Sequence, residues 1–189
     1  METQFYDAVE SGPVIAAVKD VEGLAQACKV EEVQVIFILF GDICSIAEIV
    51  KKVKDAGKIA MVHMDLIVGL SSKEIVVDFI KQNTQADGII TTKAMLVKRA
   101  KELNLFTVLR YFLIDSMAME NIRQQPHSLK PDFIEVLPGV MPKLIKEVCK
   151  TTKIPVIAGG LISDKDSVMA ALSAGAIAVS TTNPEVWLV

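Results

Sequence analysis

The sequence predicts a single small (β/α)8 TIM barrel, and three observations predict it. Short apolar runs rich in Val, Ile and Phe recur eight times along the chain. Their starts lie roughly 20–30 residues apart, room for one helix and two short loops between successive parallel strands. The last third, Ile154-Pro-Val-Ile-Ala-Gly-Gly-Leu-Ile-Ser-Asp running on to Ala176-Ile-Ala-Val-Ser-Thr-Thr-Asn183, reads as two buried strands that each end in a phosphate-sized loop. At 189 residues, 51% of them hydrophobic, the chain suits one domain over residues 1–189 with a substantial core.

The eight runs are Val14–Val18, Val35–Leu39, Ile59–His63, Gly88–Thr91, Phe106–Tyr111, Phe133–Leu137, Pro155–Ala158 and Ile177–Ser180. Unbroken apolar runs are what parallel strands buried on both faces require. The stretches between them carry helical spacing: Ile46, Ile49, Val50 and Val53 share one face, with Glu48, Lys51, Lys52 and Lys54 turned away. Asp55-Ala-Gly57, Glu102-Leu-Asn104 and Ser173-Ala-Gly175 read as helix stops. Thr92, Asp115 and Asp164 read as N-caps of the fourth, fifth and seventh helices. Only Pro184–Val189 is left for the eighth helix, which is expected to be short, with that side of the barrel thinly covered or closed by a partner subunit. Eight right-handed βα units in a row favour closure. An open doubly wound sheet would want a Gly-rich turn after the first strand, and the sequence there is Ala16-Ala17-Val18-Lys19-Asp20.

Twenty basic residues against 23 acidic ones give a formal charge of −3, so any polyanion must meet a local basic patch. Cys28, Cys44 and Cys149 lie far apart, without the spacing of a zinc knuckle or redox pair, and are expected to be small buried hydrophobes in a reducing compartment. The first residues lack a basic region followed by an apolar one, and no apolar run approaches the ~20 residues of a membrane span. A cytoplasmic protein without a membrane partner is expected.

In such a barrel the loops at the C-terminal ends of the strands form the functional face, and a phosphate commonly sits between the loops after strands seven and eight. Gly159 and Gly160 would let the backbone approach the anion, and Ser180, Thr181, Thr182 and Asn183 would add hydroxyls and a helix cap. Other strand ends converge on the same face: Gly41-Asp42, His63-Met64-Asp65, Thr91-Thr92-Lys93, Arg110 and Glu135. Arg110 and Glu135 lie inside apolar runs, where an unpaired charge costs several kcal/mol, so each needs a partner or a ligand. One reading is an internal salt bridge from Arg110 to Glu135, with His63 and Asp65 serving loops. The other is a small polar ligand whose hydroxyls meet carboxylates and whose phosphate meets backbone amides.

The rim also holds groups that suit catalysis. His63, Asp65 and Glu135 are possible acid/base residues, and Asp42, His63, Asp65 and Glu135 form a mixed oxygen and nitrogen set of the kind that suits magnesium or manganese. Lys93 is the one lysine at a strand end where a Schiff base would want it, in a step that reads as a helix start. An enzyme acting on a small phosphorylated polyol, such as a glycerophosphodiester phosphodiesterase, therefore stands beside a binding protein at this point.

Five segments, in order, resemble the family of glycerol-3-phosphate-responsive antiterminators: His63-Met-Asp65-Leu-Ile-Val-Gly69-Leu, Arg110-Tyr-Phe-Leu-Ile-Asp115-Ser, Lys130-Pro-Asp-Phe-Ile-Glu135-Val-Leu-Pro-Gly139, Ile154-Pro-Val-Ile-Ala-Gly-Gly160-Leu-Ile and Ser180-Thr-Thr-Asn-Pro-Glu-Val-Trp187. The resemblance runs from about Val14 to Trp187. Two positions depart from it: Leu109 stands where the family often has glutamine, and Ser163 where it often has arginine. The resemblance implies a regulator of glycerol catabolism and not an enzyme, with glycerol 3-phosphate as effector, no cofactor, no metal and no catalytic residue. The loaded protein would bind the leader of a glycerol-operon messenger RNA, prevent premature termination and stabilise the transcript. It places the phosphate on Gly159, Gly160, Thr181 and Thr182 and the glycerol moiety near His63, Asp65, Arg110 and Glu135; Asp42 on the same rim is expected to join the glycerol contacts.

For the RNA face the candidate clusters are Lys93, Lys98, Arg99 and Lys101; Lys51, Lys52, Lys54 and Lys58; and Lys143, Lys146, Lys150 and Lys153. The first is preferred, because no acid relieves it before Glu102. A homo-oligomer is expected to multiply so small a patch. A phosphate that orders the loops after strands seven and eight would be the link between effector and RNA.

Overall fold

A computed structural model describes residues 2–124 and 129–188, with backbone alone at its first three positions. Eight parallel strands close into a barrel in sequence order: β1 (Val14–Val18), β2 (Val35–Ile38), β3 (Ile59–His63), β4 (Gly88–Thr91), β5 (Phe106–Phe112), β6 (Phe133–Leu137), β7 (Val156–Gly159) and β8 (Ala178–Thr181). The seam pairs β1 with β8, Ala16 opposite Thr181. The helices are α1 (Glu2–Ser11), α2 (Val21–Ala27), α3 (Ile46–Asp55), α4 (Ile75–Asn83), α5 (Ala94–Glu102), α6 (Ser116–Arg123), α7 (Pro142–Thr151) and α8 (Lys165–Ser173).

The unbroken apolar runs are needed because both faces of every strand are covered. Ile15, Phe37, Met61, Ile90, Val108, Phe133, Ile157 and Ala178 fill the barrel interior, while their neighbours Ala16, Ile36, Val62, Ile89, Leu109, Ile134, Ala158 and Val179 pack outward under the helices. Inward and outward residues alternate, as the period of a strand demands.

The helix ends follow local chemistry. Asp115 accepts the N–H of Ala118 at 2.8 Å and Asp164 that of Ser167 at 2.7 Å, so both cap their helices. Thr92 does not: the N-cap of α5 is Lys93, without a side-chain bond, and the Thr92 hydroxyl goes to Asp65 instead. All three stop signals take left-handed backbone, with φ of 74° at Gly57, 54° at Asn104 and 111° at Gly175.

Helix α1 precedes the first strand and has no counterpart in the eight βα units. It closes the N-terminal end of the barrel with Phe5, fully buried and 4.4 Å from the Phe133 ring, and with Val9. The short eighth helix is a 3-10 segment, Pro184–Leu188; Val189, within the span assigned to it, lies outside the described residues. Its Trp187 is 1% exposed and donates its indole N–H to the Thr181 carbonyl at 2.9 Å, so one large side chain covers this side. The three cysteines are free, and the expectation that all are buried fails: Cys44 is exposed in the loop after β2, while Cys28 and Cys149 are partly covered. Among the described residues no helix is long and apolar enough to cross a membrane.

Candidate functional site

The top layer of the barrel interior is polar. Register sets Arg110 on β5 directly opposite Glu135 on β6, and Arg110 Nε donates to Glu135 Oε2 at 2.6 Å. Glu135 has no solvent exposure and Arg110 only 9%, so the pair satisfies two charges that neither strand could bury alone. The other oxygen, Oε1, accepts from the Ser180 hydroxyl on β8 at 2.5 Å. That bond crosses β7, and it passes because residue 159 is glycine: a Cβ there would lie 2.5 Å from Glu135 Oε1 and 2.6 Å from Ser180 Oγ. One carboxylate thus ties β5, β6 and β8 together above the apolar core.

His63 belongs to the same layer, at the end of β3, and is 3% exposed. Its Nδ1 is the one buried side-chain polar atom without a hydrogen-bond partner among the described residues. Burial first, then the positive charge of Arg110, lowers its pKa to about 4, so it is a neutral imidazole near pH 7. Asp65, two residues on, bridges the loops after β3 and β4. It accepts from the Thr92 N–H at 2.7 Å, the Thr92 hydroxyl at 3.1 Å, the Thr91 hydroxyl at 3.2 Å and Lys93 Nζ at 2.8 Å. Burial raises its pKa, but Lys93 and Thr92 outweigh that and hold it below the ordinary value. Lys93 therefore lies at the rim as the ionic partner of Asp65.

Asp42 was expected among the glycerol contacts. Instead its carboxylate accepts the N–H groups of Cys44 and Ser45 and the Ser45 hydroxyl, the last at 2.9 Å, and so builds the turn into α3. These bonds, Ser45 first, lower its pKa. The three acids and one histidine weighed as a metal set are not brought together: among the described residues no three His, Cys, Asp or Glu side chains form a group able to hold an ion.

The two C-terminal loops are locked to each other. Thr181 Oγ1 donates to the Ile162 carbonyl at 2.6 Å, Asn183 Nδ2 donates to the Ser163 carbonyl at 2.9 Å, and Asn183 Oδ1 accepts from Glu185 N–H at 3.1 Å. The side chains of Ser180, Thr181 and Asn183 are thus committed within the protein, and Thr182 keeps the exposed hydroxyl. Gly160 and Leu161 both take positive φ, 76° and 62°. Among the described residues the N–H groups of Gly160 and Thr182 have no acceptor, the state in which backbone can receive an anion. The loop after β6 joins in: Gly139 N–H donates to the carbonyls of Gly159 at 2.5 Å and Gly160 at 3.1 Å. Gly139 was quoted from the sequence only as part of a motif, and a Cβ there would meet Gly159 N and O at 3.0 Å.

On α5 the expected RNA cluster is mostly neutralised. Arg99 pairs with Asp78 at 2.5 Å and Glu102 at 2.8 Å, and Lys101 pairs with Asp132 at 2.6 Å. With Lys93 on Asp65, Lys98 is the member without an ionic partner among the described residues.

Comparison with known proteins adds identity to this geometry. A relative of Escherichia coli (strain K12), the uncharacterized protein YgcP, is 47% identical over 179 residues, which is 95% of this chain and 93% of that one. The crystal structure of the glycerol uptake operon antiterminator regulatory protein of Listeria monocytogenes superposes with a TM-score of 0.88 at 30% identity, covering 92% of this chain and 94% of that one. A glycerol uptake operon antiterminator-related protein of Thermotoga maritima gives 0.82 at 33% identity, covering 94% and 99%. The family model described as glycerol-3-phosphate responsive antiterminator matches residues 14–187. With a match over nearly its whole length and a shared closed eight-stranded barrel, this chain belongs to the glycerol-3-phosphate responsive antiterminator family.

Proposed function

We propose that the chain is a cytoplasmic sensor of glycerol 3-phosphate that, once loaded, binds the leader of a glycerol-catabolic messenger RNA, prevents premature termination and stabilises the transcript. The observation that carries a ligand here is His63 Nδ1, buried and unpartnered at the rim of the barrel beside Arg110 and Asp65. A buried polar nitrogen without a partner is costly, and a ligand hydroxyl supplies the missing bond. In this reading the phosphate takes the N–H groups of Gly160 and Thr182 together with the Thr182 hydroxyl, and the glycerol moiety lies over His63 and the Arg110–Glu135 pair.

Family membership supports the choice of metabolite, and the state of the acids supports sensing over turnover. Glu135 is held by Arg110 and Ser180, and Asp65 by Lys93 and two threonines, so neither is an unengaged base. Self-association is part of the proposal, as a way to repeat one RNA contact along a transcript.

Titration of a labelled leader transcript from a glycerol-catabolic operon, with and without glycerol 3-phosphate, tests it. Affinity is expected to rise with the metabolite and to fall steeply with salt. Equal binding in both conditions overturns the reading.

A further inference from the structure

In the basic clusters around α3 and α5, most side chains already have partners within the protein. Lys51 pairs with Asp55 at 2.5 Å, Lys54 with Asp87 at 2.7 Å, and Lys93, Arg99 and Lys101 with Asp65, Asp78 and Asp132. Lys58 turns its amine onto the backbone carbonyls of Val30 and Val33. Helix α7 is different. Lys143, Lys146 and Lys150 recur at spacings of three and four residues and so share one face; Lys153 extends the line past the helix end. All four are exposed, and among the described residues none of them forms an ion pair or hydrogen bond. The buried Ile145 and Val148 face the barrel instead. The single acid of the helix, Glu147, accepts from Arg123 of α6 at 2.8 Å and does not offset the stripe.

The N-terminal end of α7 is connected to the ligand loops. Gly139, three residues before Pro142 opens the helix, donates its N–H to the carbonyls of Gly159 and Gly160. An anion that orders Gly160 therefore fixes the strand end from which α7 starts.

We propose that the lysine stripe of α7 is the surface that binds the RNA phosphate backbone. The inference rests on the RNA-binding reading above and replaces α5 as the RNA face. Its dimensions fit: from Lys143 to Lys153 a helical rise spans roughly 15 Å, and phosphates along one strand are spaced about 3.4 Å apart along a duplex axis, so four lysines meet about four phosphates. A stripe of ammonium groups without aromatic partners reads backbone and not base, so sequence preference must come from the shape of the RNA or from other loops.

The test uses the full chain, saturating glycerol 3-phosphate and a fluorescent pool of randomised RNA about 40 nucleotides long, with anisotropy read from about 50 to 200 mM salt. Replacing all four lysines, K143Q/K146Q/K150Q/K153Q, is expected to lower affinity at least tenfold at the lowest salt and to flatten the slope of log affinity against log salt by about 3. The K52Q/K81Q/K98Q variant, which changes exposed lysines of α3, α4 and α5 that have no ionic partner among the described residues, is expected to bind as the parent chain does, and lysine-to-arginine changes at the four positions to retain binding. A thermal melt and a glycerol 3-phosphate titration, both expected unchanged, show that the glutamine variant is folded. If that variant binds RNA with the parent's affinity and slope, the surface is wrong while the RNA-binding reading stands, and the stripe reverts to a solvated face or a contact for an acidic protein. If the parent chain fails to bind RNA with or without the metabolite, both fall.

Discussion

Gly159→Ala is the smallest change that strikes the polar layer at its centre. The new methyl would lie 2.5 Å from Glu135 Oε1 and 2.6 Å from Ser180 Oγ, distances at which something must move. Neither neighbour has free space, since Glu135 is fully buried and Ser180 4% exposed. The hydrogen bond between them breaks or lengthens. A bond to a charged group contributes about 1.5–3 kcal/mol, and overpacking adds about 1–3 kcal/mol. We take about 3 kcal/mol as the expected loss, a fall in Tm of roughly 6–12 °C for a domain of this size. Urea unfolding followed by circular dichroism at neutral pH measures it. The mechanism also predicts coupling: in a Ser180→Ala background the bond is already gone and one contact is relieved, so Gly159→Ala should cost at least about 1 kcal/mol less there. A loss below about 1 kcal/mol, or additivity within about 0.5 kcal/mol, would refute the claim that Gly159 exists to let Glu135 reach Ser180.

Glu135→Ala leaves Arg110 buried without its acceptor and should cost about 3–5 kcal/mol, whereas the double change R110L/E135L should recover at least about 2 kcal/mol of that while abolishing metabolite binding; calorimetry and denaturation on the three proteins decide it. His63 contributes to pH dependence with a definite sign. Its pKa of about 4 lies below the ordinary value near 6.5, so the unfolded chain takes up a proton that the folded chain refuses. Stability is therefore full above about pH 6.5 and is lost as pH falls towards 4, by about 2 kcal/mol between pH 7 and 5. His63→Gln should remove that slope, and equal pH dependence in both proteins would contradict it. Gly160→Val introduces a β-branched residue at φ 76°, with its Cβ 3.0 Å from Leu137 Cδ2; glycerol 3-phosphate affinity by calorimetry should fall at least tenfold, and an unchanged value would remove the phosphate from this loop.

The strands were legible almost residue by residue, because burial on both faces leaves short runs of Val, Ile and Phe that recur at the spacing of βα units. Asp115, Asp164, Gly57, Asn104 and Gly175 were legible for the same local reason, each serving backbone within a few residues of itself. Helix α1 was not. Its buried contribution rests on Phe5 and Val9, too sparse a stripe to stand out in a polar segment, although their spacing of four residues was the available signal. Side-chain commitments were hidden wherever they cross the barrel. That Ser180 serves Glu135, from β8 to β6 over a glycine, depends on strand register and on the missing Cβ of Gly159, and neither is a property of local sequence. The basic residues of α5 looked unrelieved because Asp78 and Asp132, which neutralise Arg99 and Lys101, lie 21 and 31 residues away in the chain. The Arg110–Glu135 pair was the exception. Each of two charges inside adjacent apolar runs needed a partner or a ligand, and register made them each other's partner.

In the proposed function glycerol 3-phosphate is bound at the rim and left intact. Phosphorus NMR of the metabolite titrated with the protein, and then held for hours with magnesium present, tests both halves at once. A sensor gives a saturable shift or broadening of the single phosphate resonance, lost in Gly160→Val, and no new signal with time. A growing resonance of inorganic phosphate or of another ester would make the protein an enzyme, and an unperturbed line at saturating protein would leave the rim without its ligand.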